Sequence, residues 1–408
     1  MTVSLSAWIA SIALIVALLV YDFFFHVRKA HTPTLREAAI WSALYVGIAI
    51  VFGLGLFALG GSQMGTEYFA GYITEKALSV DNLFVFLIIM SSFRVPSADQ
   101  QKVLLFGIVI ALIARTAFIF VGAAMIDRFA WVFYLFGVVL LATSGHMLVG
   151  HDNDDADNVI IRIAKKFIHT TDHYDGDRLF TTVDGKRVMT PMLLVMVAIG
   201  GTDIMFALDS IPAIFGLTQS TFIVFTATAF SLMGLRQLYF LLDGLLDRLI
   251  YLSWGLATIL GFIGIKLILH ALHENNVAII NDGNPVKVVE ISVEFSLLVI
   301  VGVLALTVIA SLLSPRGKAV TTINNIRRHV DQYLDLGFES DQAVREQNYS
   351  RLMQEEAALA ALPVKYRRLI REEPQLLARL KEAHETHDRY LQQQPAETEN
   401  RQPPPEKA

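Results

Sequence analysis

The sequence predicts an all-α polytopic membrane protein. It reads as about nine transmembrane helices in an inverted 3+3 repeat with discontinuous helices, followed by a cytoplasmic helical extension. Three observations predict this. The 408 residues are 54% hydrophobic and 17% charged, where a soluble domain carries about 25% charge. Mean hydropathy is +0.50, and several apolar runs reach the ~20 residues that span a bilayer. Two of those runs hold the same polar pattern, Thr74-Glu75…Asp81-Asn82 and Thr202-Asp203…Asp209-Ser210.

Apolar periodicity places spans at roughly 5–25, 38–60, 68–92, 103–125, 130–149, 191–216, 221–242, 249–272 and 292–313. Basic residues then orient them. Arg28, Lys29 and Arg36 follow the first span, and Arg94 and Lys102 the third. Arg162, Lys165, Lys166, Arg178, Lys186 and Arg187 lie between the fifth and sixth, and Arg248 between the seventh and eighth. The alternate loops hold only Arg128 and Lys287. The N-terminus is therefore expected outside and the C-terminus in the cytoplasm. No basic segment precedes the first apolar run, so no cleaved signal peptide is expected. The chain has no cysteine, which excludes a disulfide framework, a thiolate metal site and a cysteine nucleophile. A net charge of −5 says little about partners, and nothing suggests nucleic acid.

Residues 1–315 read as the membrane domain, with repeats at about 68–149 and 191–272 and a soluble loop at 150–190. His151-Asp152-Asn153-Asp154-Asp155-Ala156-Asp157 lacks the glycine and distal glutamate of a calcium loop and reads as a solvated acidic turn. Leu179 to Val188 reads as a hairpin turned at Asp184-Gly185. Residues 316–392 carry apolar positions at helical spacing (Leu352, Ala358, Leu362; Leu369, Leu376, Leu380) and read as a cytoplasmic appendage open to a protein partner. Residues 393–408 are rich in Pro, Glu and Gln and are expected to be disordered.

The repeat is carried by matched residues. Arg115 in the fourth span corresponds to Arg236 in the seventh, and the third and sixth spans hold the paired acids. The charge rule makes the copies run in opposite directions, as in secondary transporters whose sites lie at the midplane between repeats. On an unbroken helix, residues six apart sit about 120° from one another, so convergence of both acids on one ion requires local unwinding. Pro212 supplies a cause in the sixth span.

Carboxylates at bilayer depth cost roughly 2.5–3.5 kcal/mol each, so four in one repeated pattern point to use. Glu75, Asp81, Asp203 and Asp209 are the candidate metal ligands. Ser79, Asn82, Thr202 and Ser210 complete an all-oxygen environment, which suits Mn, Mg or Ca. Arg115 and Arg236 are expected to offset two of the four charges, with Lys266 a further candidate. One acid could exchange a proton and couple transport to the proton gradient. No catalytic residue and no prosthetic group is expected. His146, His270 and Asp22 read as interfacial or solvated. An intramembrane aspartyl protease would need Gly-x-Gly-Asp; Gly200-Gly201-Thr202-Asp203 lacks it, and two acids would not explain four. Two other readings stand beside a divalent-cation exporter. One is a scaffold acting through its tail; the other is an exporter of a cationic metabolite, kept open by Phe84 and Phe206.

Glu75 to Phe86, Phe206 to Phe215 and Gly234-Leu235-Arg236-Gln237-Leu238-Tyr239-Phe240 closely resemble the TerC family, named from tellurium resistance, within the LysE-type transporter superfamily. The resemblance covers roughly residues 5–315. It implies manganese export by the motif acids, and carries links to tellurite resistance and to metal-dependent exported proteins. Two positions depart from the family pattern: Thr228 stands where Asn is common, and Gly200 where Glu is common. Thr228 is thereby a candidate selectivity position. Tellurite is an anion that an acidic site repels, so it is not the expected cargo.

Cysteines introduced at Ser62 and Ser220 should label from outside intact cells, and one at Asn153 should not. Labelling at Asn153 would reverse the orientation and undo the inverted repeat.

Overall fold

The computed structural model describes residues 3–24, 35–93, 97–126, 131–149, 178–183, 186–242, 249–275, 280–335, 342–361 and 373–393, with 95, 128, 129, 277 and 363. The stretch 151–157, the residues after 393, and the apolar positions Leu362 and Leu369 lie outside the described residues. The chain divides into two compact units, Met1–Asp243 with Tyr251–Ile309, and Gly244–Ile250 with Ala310–Ala408.

In the first unit, α1 is Leu5–Asp22 and starts on Ser4, whose hydroxyl accepts from the Ala7 N–H and so satisfies one orphan donor of the first turn. Helix α2 is Leu35–Ser92, interrupted at Gly61 with φ 87° and ψ 172°. Only glycine takes that conformation without strain. There the chain folds back on itself: Tyr68 Oη donates to the Ala49 carbonyl at 3.1 Å, and Phe52 meets Tyr68 at 5.4 Å and Phe57 meets Phe69 at 5.9 Å between ring centroids. The expected loop at 60–66 is therefore helical apart from one glycine, because a single positive φ is enough to reverse direction.

Helices α3 (Ser97–Ile126) and α4 (Val132–Val149) follow. The hairpin is as expected: β1 (Phe180–Val183) pairs antiparallel with β2 (Lys186–Met189), Val183 opposite Lys186. Then come α5 (Pro191–Phe215), α6 (Thr221–Leu232), α7 (Leu235–Leu242), α8 (Leu252–His273) and α9 (Val293–Leu313). Among the described residues, 8 helical stretches are long and apolar enough to cross a membrane, one of them 55 residues long. That one contains Gly61 and is about twice the length a bilayer needs.

The discontinuity expected at the acids falls elsewhere. Helix α5 runs unbroken through Asp203 and Asp209, with Pro212 inside it. Pro212 withholds a donor from the Leu208 carbonyl beside Asp209, yet the helix keeps its course through that turn to Phe215. The break is instead between α6 and α7, where Met233 has ψ 135° and Gly234 has φ 76°.

Close packing relies on small residues, as in membrane bundles generally. Helices α4 and α8 approach at Gly137 and Gly264. A Cβ on Gly264 would lie 3.1 Å from the Gly137 carbonyl, and one on Gly137 would lie 3.0 Å from the Gly264 carbonyl. Ser144 Oγ donates to the Ala257 carbonyl across the same seam at 2.7 Å. Aromatic side chains fill the space between α2 and α6: Tyr45, Tyr68, Tyr72, Phe222 and Phe230 are buried together.

The second unit is a bundle of α10 (Pro315–Asp335), α11 (Gln342–Ala360) and α12 (Glu373–Gln393). Ile323, Ile326, Val330, Leu352, Leu359, Leu376 and Leu380 form its core. Ala358 is exposed and Leu359 takes the inward place, because seven residues, not six, return to the face of Leu352. A polar layer crosses this bundle. Tyr333 Oη and His387 Nδ1 are 2.8 Å apart, and Tyr349 Oη and His384 Nδ1 are 2.7 Å apart. Burial pushes both phenols up from their ordinary pKa.

Gly264→Val should overpack the α4–α8 seam at a cost of about 1–3 kcal/mol, lowering the melting temperature of the purified protein. Gly145→Ala, with nothing within 4 Å of its Cβ, should not lower it and can raise it slightly, since glycine inside a helix is less stable than alanine. Equal melting of the two variants would contradict the seam.

Candidate functional site

Unbroken helices decide which motif residues meet. Residues seven apart on a helix are about 20° from sharing a direction, and residues six apart are about 120° away from doing so. Asp203 and Ser210 therefore face one way on α5, and Asp209 another. What they face is Arg115 of α3, which is 0% exposed. Its Nε and Nη2 donate to the two carboxylate oxygens of Asp203 at 3.2 Å each. Its Nη1 donates to Ser210 Oγ at 3.2 Å. Glu75 of α2, also 0% exposed, makes an ion pair with the same Nη1. One guanidinium thus ties three helices.

Asp81 and Asp209 lie outside that pairing. Both are half-buried. Asp81 accepts a long hydrogen bond from Ser253 Oγ of α8 at 3.5 Å, and Asp209 is within electrostatic reach of Arg115 and Asp81. Asn82, seven residues from Glu75, is buried. Thr202 does not face the acids: its hydroxyl bonds the Ala198 carbonyl of its own helix at 2.8 Å, as Thr74 bonds Ala70 at 2.8 Å. Ser79 and Thr228 are each 1% exposed, and their hydroxyls have no hydrogen-bond partner. Among the described residues, no three His, Asp or Glu side chains gather into a metal cage. The four acids thus form an Arg115-bound pair and a half-exposed pair.

Arg236 does not join them. Its Nη2 and Nε donate to Asp22 at 2.8 and 3.2 Å, and its Nη1 contacts Gln101 Oε1. Gln237 Nε2 and Tyr45 Oη also donate to Asp22, at 3.0 and 2.9 Å. Asp22 is 7% exposed, so it is a buried ion-pair partner rather than a solvated terminus. The expectation that Arg236 offsets the motif acids fails because Asp22, 214 residues earlier in the chain, already neutralises it. Asp22, Gln101, Gln237 and Tyr45 were not among the sequence candidates; the available signal was an acid closing an apolar run with no basic neighbour beside it.

Lys266 also sits away from the acids. Its Nζ donates to Ser296 Oγ at 3.0 Å, and it feels Glu67 and Glu294. It lines a cavity of about 890 Å³ together with Gln63, Glu67, Gln219, His270 and Glu290. His270 Nε2 lies 2.8 Å from Gln219 Nε2, so this histidine is a cavity residue. His146, in the last turn of α4, is exposed.

Fold and charge placement together define a polytopic helical membrane protein with ionised groups buried between its membrane helices, an arrangement costly enough to mark function. The chain belongs to the TerC family: residues 60–319 match the integral membrane protein TerC family. An uncharacterized membrane protein of Mycobacterium tuberculosis is 54% identical over 390 residues, covering 94% of this chain and 98% of the relative. One from Myxococcus xanthus is 38% identical over 311 residues, 76% and 92% of the two chains. The "Putative membrane-bound redox modulator Alx" of Escherichia coli is 38% identical over 253 residues, 59% of this chain and 78% of Alx. No solved structure matches the chain.

Replacing Arg115 by Met should strand Glu75 and Asp203 and cost about 3–5 kcal/mol, seen as a lower melting temperature and reduced yield of folded protein. Adding Glu75→Gln and Asp203→Asn should recover most of the loss. If Arg115→Met melts with the wild type, the ion pairs do not hold the helices.

Proposed function

We propose that the protein exports a divalent metal cation, Mn²⁺ preferred, across the bacterial cytoplasmic membrane, and that it is a transporter rather than an enzyme. Asp81 and Asp209 are the carboxylates the ion meets. Glu75 and Asp203 stand behind them, their charge shared with Arg115. The observation that carries this reading is four motif carboxylates at membrane depth with one arginine among them. The surrounding ligands are oxygens only, the donor set that Mn²⁺ takes. Two carboxylates suit an ion that keeps part of its water shell, as Mg²⁺ does. A proton exchanged at Asp81 or Asp209 would couple export to the proton gradient. Tellurite, an anion, is not the cargo.

The inverted repeat fits several details. The threonine before each motif acid bonds back four residues, and α4 and α8 meet through reciprocal glycines. Gly61 divides α2 into two crossings, which makes nine. With the N-terminus outside, the 890 Å³ cavity opens on the outer side, where Glu67 and Glu290 would receive a released cation.

A second reading, a scaffold acting through the C-terminal bundle, is favoured by the exposure of Met353, Leu377 and Leu391. The redox role in the name of Alx has no thiol to run on here, since the chain contains no cysteine.

Asp81→Asn and Asp209→Asn should insert normally, because a neutral amide is cheaper to bury than a carboxylate. In reconstituted vesicles each should lose tenfold or more of Mn²⁺ transport, with Ca²⁺, Mg²⁺ and lysine run beside it. Wild-type transport by either variant would remove it from the site. Preference for lysine would favour the metabolite reading. Truncation after Arg316 should leave transport measurable, and loss of transport in an inserted truncation would place the tail in the mechanism.

A further inference from the structure

One half-buried cation between the membrane helices is engaged by none of the acids described above. Lys76 follows Glu75 on α2, yet its ammonium turns to the adjacent helix. It donates to the Ser231 carbonyl at 2.9 Å and the Met233 carbonyl at 3.2 Å. These carbonyls belong to the C-terminal end of α6, where the span breaks at Gly234. The last carbonyls of a helix lack intrahelical donors and carry the negative end of its dipole. Inside a membrane no water is at hand to satisfy them. Three buried hydroxyls lie within one turn of this contact along the two helices: Ser79 on α2, and Thr228 and Ser231 on α6. Each is at most 1% exposed, and none has a hydrogen-bond partner.

Carbonyls freed at a broken helix, flanked by hydroxyls, form an oxygen set that small cations occupy in transporters. We propose that the α6–α7 break is a monovalent-cation site filled by the protein's own Lys76 ammonium, which makes the fold independent of a bound alkali ion. The tether also fixes the helix turn that carries Glu75. The consequence for export rests on the exporter reading; the site itself does not.

The test is the melting temperature of the purified full chain, without Mn²⁺, in NaCl, KCl and choline chloride at equal ionic strength. Wild-type protein should melt alike in all three. Lys76→Ala should melt lower by about 5 °C or more in choline and regain stability in millimolar Na⁺ or K⁺ by mass action. If that variant does not fold, Lys76→Met, which keeps the length of the side chain but donates nothing to the carbonyls, goes through the same salts and should show the same cation-specific gain. A gain equal in all three salts reports screening only and overturns the site. So does the absence of any gain. Because no metal is transported in this assay, its outcome stands apart from that of the vesicle measurements.

Discussion

The membrane unit depends on the placement of one charge, Arg115. A guanidinium in an apolar interior survives only if paired and hydrogen-bonded. Here it takes Asp203 through two nitrogens, Glu75 through a third and Ser210 beside it. Each partner comes from an element already packed for other reasons, so the pairing fixes the rotation of α2, α3 and α5 about their axes. Once those rotations are set, helix geometry places Asp81 and Asp209 on a different face, half-buried and outside the arginine's ion pairs. The separation of the acids into two pairs follows from the helices staying intact.

The other buried ion pair has a different role. Asp22 gathers Arg236, Gln237 and Tyr45, joining α1, α2 and α7, while Arg236 reaches Gln101 on α3. It uses up the acid and the arginine together and leaves no charge for a ligand. Lys76 is satisfied by backbone oxygen. Among the described residues of the membrane unit, cations are thus held in different ways: an arginine shared by two acids, an arginine matched to one, and a half-buried ammonium held by a broken helix.

Much of this was legible in the sequence, for identifiable reasons. Charged residues inside apolar runs announce themselves, so Glu75, Asp81, Asp203, Asp209 and Arg115 stood out. The pairing of β1 with β2 was legible from the strand residues either side of an Asp-Gly pair. The partner of Arg236 was harder to read, because Asp22 closes an apolar run, a place where an acid is ordinarily solvated, and its partner lies 214 residues later in the chain. The unwinding assigned to Pro212 is not seen: the helix tolerates one missing donor at the Leu208 carbonyl and runs on to Phe215. The real break, at Gly234, lay in a motif recognised for its arginine. The turn at Gly61 was hidden by the expectation that a reversal needs a loop, and Leu359 by a one-residue error of phase.

The central claim is that a transported cation is held by Asp81 and Asp209 while Glu75 and Asp203 remain with Arg115. Anomalous scattering at the manganese edge, from crystals of the purified protein grown with Mn²⁺, tests it most directly. The account predicts a peak bounded by the Asp81 and Asp209 carboxylates, with the Arg115 ion pairs intact. A peak on Glu75 and Asp203 with Arg115 displaced, or no peak among the four acids, would contradict it.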